Sequence, residues 1–217
     1  MGGQDVHDPN GPVEPPEPWD TGSTDQPGGD VLMSCFVPVR VDGASMLVAF
    51  EVDLVEHRRR ARTGVGALTS TELLHGLWLL PSGVPVPVDA ILQAKVEMLR
   101  AAAHSVEESG AGFERLYSPA GLVKSVAFVG RNAERLVHRA IRFTPIFQRF
   151  AIVVDGARPV PSRIECAARE WEVGIVEVAG GVVRSVVDAG PPVVGAPGVC
   201  RWRRAGLAYQ RWLYENT

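Results

Sequence analysis

Cysteine and lysine are scarce in this chain of 217 residues. Its three cysteines, Cys35, Cys166 and Cys200, lie far apart and form no C-x-x-C pair. An odd, sparse count excludes a disulfide framework and fits a reducing compartment, so a cytoplasmic protein is expected. The four closely spaced ligands of a structural zinc site are also missing. Lys95 and Lys124 are the only lysines; the other twenty basic residues are arginine. No apolar run reaches the roughly 18 to 20 residues that a bilayer span needs. The polar start MGGQDVHDPN is unlike a secretory leader, so no membrane role is expected. The signatures G-x-S-x-G, G-x-x-x-x-G-K-[ST] and H-E-x-x-H do not occur, and neither cofactor nor metal is indicated on that ground.

Residues 1–30 carry no lysine or arginine but seven acids: Asp5, Asp8, Glu14, Glu17, Asp20, Asp25 and Asp30. Rich in proline and glycine, this segment has too little apolar surface to offset its ordering entropy and reads as a disordered tail. The remainder holds 22 basic against 18 acidic residues. An acidic tail on a mildly basic body suggests that the tail screens an arginine-rich surface from polyanions.

Residues 31–189 read as a single α+β (or α/β) domain, a mixed central sheet flanked by helices. The apolar, β-rich runs 31–41 and 44–55 flank Asp42-Gly43, a strong hairpin signal. Thr69 with Glu72 forms a capping box for a short helix. Asp89 starts the longest predicted helix, 89–109, with Ile91, Leu92, Val96, Leu99, Ala103 and Val106 on one face. A short strand at 112–118, a strand at 121–129, and a helix capped by Asn132 and running to about Phe143 follow. Phe150 to Val154 reads as a strand buried continuously on both faces. A helix from Pro161 to Trp171, strands at 173–178 and 182–187 around Gly180-Gly181, a linker at 190–198 and a C-terminal helix at 199–217 complete the order.

The stretches VAFVGRNAERLVHRAIRFTPIFQRFAIVV and ARPVPSRIECAAREWEVGIVEV resemble the C-terminal half of restriction-endonuclease-like (PD-(D/E)XK) modules. The likeness covers roughly residues 89–187. It implies that 89–109 is the family's first helix, and that a central strand should carry Glu-x-Lys. Those two positions fall on Ala127 and Val129, which neither bind metal nor activate water. Lys124 is near, but Leu122 stands two residues before it. The resemblance therefore implies a nuclease-like fold without its catalytic signature, binding DNA or a protein partner.

Three constellations compete for function. Glu51 and Asp53 lie two apart on a strand, so both carboxylates share a face and suit Mg²⁺, as a metal-dependent nuclease would require. The alternative is the solvent-facing edge of an ordinary hairpin. The run HRRRAR contains Arg58, Arg59, Arg60 and Arg62, either a phosphate contact or a solvated loop or helix start. The C-terminal segment interleaves Arg201, Trp202, Arg203, Arg204, Arg211 and Trp212. That mixture suits phosphate contact with base stacking, or a protein interface, or a helix that buries its aromatics. A scaffold or assembly subunit without any nucleic-acid role is the third function the sequence allows.

Overall fold

The computed structural model describes residues 32–41, 43–102, 104–156, 159–193 and 198–216. The predicted N-terminal tail and Asp42 lie outside them. A mixed six-stranded sheet runs in the order β1-β2-β5-β6-β7-β8. Its strands are β1 (Leu32–Val41), β2 (Ala44–Asp53), β5 (Gly121–Gly130), β6 (Gln148–Val154), β7 (Val173–Ala179) and β8 (Val182–Val187). The β1/β2, β2/β5 and β7/β8 pairs are antiparallel. The β5/β6 and β6/β7 pairs are parallel, each joined through a helix. Those helices are α4 (Ala133–Arg142) and α5 (Ser162–Glu170). The expected mixed α/β architecture, opening on a hairpin, is what forms.

Between β2 and β5 the chain inserts α1 (Leu54–Thr63), α2 (Thr71–Trp78), α3 (Gln93–Ala101) and the small hairpin β3 (Val106–Ser109) with β4 (Gly112–Arg115). Leu74, Leu77, Leu80, Val96, Leu99, Val106 and Phe113 make a second core there, closed by Trp202 of α6 (Gly198–Asn216). Here the predicted long helix 89–109 breaks. Residues Val88–Ala90 form a 3-10 turn, and α3 starts behind Leu92 with no side-chain cap, so Asp89 is not its N-cap. Val106 to Ser109 leave helical geometry to pair with β4, because Val106 then packs in the same core as Phe113. Tertiary pairing overrides helix periodicity at this point. The α2 cap is Ser70, whose hydroxyl accepts from the Leu73 N–H at 3.3 Å, and not Thr69.

The two faces of the large sheet differ. On one, Val37, Val48, Phe50, Val126, Phe128, Ala151 and Ile175 are buried. Helices α4, α5 and α6 lie against this face. Buried Arg149 of β6 donates there to the carbonyls of Ala140, Ile141 and Phe143 at the end of α4, and to that of Trp171 at the end of α5. It thereby satisfies carbonyls that helix ends leave without intrahelical partners. The α6 helix joins the same layer: Arg204 lies over Phe143, which is edge-on to Phe128.

The opposite face is apolar too. One cross-strand row runs Pro38, Leu47, Ala127, Phe150, Gly174, and the next includes Val129, Ile152 and Val176. Phe36 is 70% exposed and Val129 48%. The continuous burial expected for Phe150 to Val154 therefore resolves into alternation. Ala151 and Val153 are buried, whereas Phe150, Ile152 and Val154 are half-buried, since the helix layer covers one side only.

Candidate functional site

The sequence-derived candidates are mostly engaged in holding the fold. Asp53 is the N-cap of α1, its Oδ1 accepting from the Glu56 N–H at 2.8 Å. Glu51 pairs with Lys124 at 3.0 Å. The two acids follow the strand alternation that placed them on one face, but each has its own partner. Among the described residues no cluster of three or more metal-ligating side chains forms around them or elsewhere.

Within HRRRAR, burial overturns the reading of Arg60 as a phosphate contact. Its side chain is 1% exposed, and Nε meets Glu56 Oε1 at 2.7 Å. Its Nη1 and Nη2 donate to the carbonyls of Gly66 and Ser118. The guanidinium lies over the rings of Tyr117 and Tyr209, 5.0 and 5.5 Å from their centroids. Arg59 binds the same Glu56 carboxylate at 2.6 Å. His57 Nδ1 lies 2.9 Å from the Tyr209 hydroxyl. These contacts clamp α1 to α6 and to the segment after β4. Burial pushes the phenols of Tyr117 and Tyr209 above their usual range, with the Arg60 charge partly opposing the rise. Arg58 and Arg62 are exposed and remain available on the outer side of α1.

The C-terminal segment forms the expected helix but turns Trp202, Tyr209 and Trp212 inward and leaves Tyr214 exposed. Trp202 is 9% exposed, edge-on to Trp78 at 5.0 Å and close to Tyr117. Trp212 is buried against Tyr209 and His57. Neither indole presents a face to a base, which corrects their reading as stacking platforms. Arg201 donates to the Val193 carbonyl, and Arg211 pairs with Glu215 at 2.8 Å. Arg204 covers Phe143, and Arg203 is half-buried on the same helix.

A different helix gathers available positive charge. Along α4, Arg135, His138, Arg139 and Arg142 recur at i, i+3, i+4 and i+7, and all four are exposed. That spacing sets them in one stripe. Leu136, Val137 and Ala140 occupy the opposite, buried side. The helix is oriented by the Asn132 cap, whose Oδ1 accepts from the Arg135 N–H at 2.9 Å, and by Leu136 beneath Gly130. Together the four side chains line an open depression of about 490 Å³.

Among the described residues, none of these four side chains has an ion pair. By contrast Arg59, Arg60, Arg100, Arg163, Arg169, Arg184 and Arg211 each bridge a carboxylate. The one acid of α4, Glu134, is held by Arg163 of α5 at 3.0 Å. Three guanidinium forks on one helix face are chemically suited to several phosphates at once. The sequence contains this signal in RNAERLVHRAIR, provided that the outer face of the helix is read along with its apolar one. No protein-family model, curated protein or solved structure matches this chain.

Proposed function

We propose that the protein is a non-catalytic nucleic-acid-binding protein that grips the phosphodiester backbone with the α4 stripe. The observation that carries this reading is the stripe itself: Arg135, His138, Arg139 and Arg142 exposed together, with no described ionic partner. No large exposed apolar residue lies on α4, so the surface lacks the aromatic or aliphatic anchor of a protein hot spot. Contacts to phosphate alone fix position without reading bases, and binding indifferent to sequence follows.

The likeness to restriction-endonuclease-like modules supports the same reading. In that family an arginine-containing helix follows the Glu-x-Lys strand, and α4 follows the strand that carries Ala127 and Val129 in those positions. Cys166 and Cys200 are exposed free thiols, in keeping with work in a reducing cytoplasm. The test is anisotropy of a labelled DNA duplex titrated with the full chain. Three phosphate contacts should weaken binding about 40-fold between roughly 50 and 200 mM salt. No binding at the lower salt sinks the reading. The open apolar face of the sheet favours a second role, as an assembly subunit.

A further inference from the structure

We infer that the open face of the sheet docks a second copy of this chain, sheet against sheet. Parallel strands carrying apolar residues on both faces are ordinarily covered on both. Here β5, β6 and β7 are parallel, and Ala127, Val129, Phe150, Ile152, Val176 and Val178 line the face away from the helices. Apolar surface of that extent on a chain in water marks an interaction site.

The area fits a stable pairing. The six strands comprise fifty residues. At roughly 3.3 Å per residue and 4.8 Å per strand they span a plane of about 800 Å². A stable interface needs about 800 Å² from each partner. Charge permits self-apposition as well. Arg40 sits towards one end of the β1/β2 ladder, opposite Ser45, and Glu51 with Asp53 at the other. A two-fold alignment that reverses strand direction sets the basic end over the acidic end, and the apolar centre on its own image. Glu51 and Lys124 already neutralise each other at 3.0 Å.

Residues 1–31 are poor candidates for this cover, because Val6, Val13, Trp19 and Val31 are their only sizeable apolar residues besides Met1. In such a dimer the helices form the outer layers, so the α4 stripes face outward. The pairing does not rest on their binding nucleic acid.

Sedimentation equilibrium of the full chain tests the pairing. At about 100 µM, far above a micromolar dissociation constant, the expected mass is twice the 23.4 kDa of one chain. Val129→Asp and Phe36→Asp each change an exposed side chain, so each should give a monomer with unaltered far-UV circular dichroism. Val182→Asp, equally open but off this face, should leave the dimer intact. A wild-type chain at monomer mass overturns the proposal, and so does a dimer that survives both substitutions in the face.

Discussion

Glu134 and Arg163 join α4 to α5 through a 3.0 Å ion pair, and that contact draws the one carboxylate of α4 towards α5. The stripe that begins one residue later is basic throughout. Both side chains of the pair are largely exposed, so its effect on stability is small. Its effect on the local field is what matters for a polyanion.

Arg163→Ala should therefore weaken duplex binding by about two- to five-fold, because it leaves Glu134 without its counter-charge at the head of the stripe. The double variant with Glu134→Gln should recover the loss. Anisotropy titrations of the two variants distinguish this from a direct role of Arg163, in which the double variant would stay weak.

The Glu56–Arg60 pair is a stability element. Arg60→Met leaves the Glu56 carboxylate, itself buried, with Arg59 alone. Because Arg59 still compensates the charge, the loss is that of a hydrogen bond to a charged group, about 1.5 to 3 kcal/mol. Urea denaturation should show a lower midpoint with an unchanged slope. A midpoint equal to wild type would mean that the clamp between α1 and α6 contributes little.

Alkali should act on the same cluster. Burial raises the Tyr117 and Tyr209 phenols above their usual value. The unfolded chain then loses these protons first, at about pH 10. Stability from keeping both phenols neutral is complete below that pH and is lost as pH rises towards the folded values. Thermal melts should fall from about pH 10 upwards. A spectrophotometric titration should show two of the three tyrosines ionising late; ordinary titration of all three would contradict their burial.

The acidic segment 1–30 is expected to compete with nucleic acid for the basic surface. Its deletion should tighten duplex binding several-fold at about 50 mM salt and have little effect at about 200 mM, where screening is stronger. Equal affinity of the two chains at low salt removes the idea.

Local signals in the sequence located most of the elements. Asn132 caps α4, Pro161 precedes α5, and Gly180-Gly181, both at positive φ, turn β7 into β8 as their chemistry requires. What failed depended on distant partners. Val106 is helical by periodicity but is taken into a hairpin by Phe113. Trp202 and Trp212 look like binding residues beside arginines, yet Trp78, Tyr117 and Tyr209 bury them. Arg60 belongs to a run that reads as surface, and only the fold brings it to Ser118 and Tyr209. The α4 stripe was legible in its spacing, but its freedom from carboxylates was not, since Arg163 is 29 residues from Glu134.

The most direct test of the central claim is duplex binding by the triple variant Arg135→Ala, Arg139→Ala, Arg142→Ala at about 50 mM salt. Arg169→Ala, on a paired and exposed arginine, serves as the control. The account predicts that the triple variant loses at least about tenfold in affinity and most of its salt dependence, while the control binds as wild type. A triple variant that binds as tightly as wild type, with the same salt slope, would contradict it.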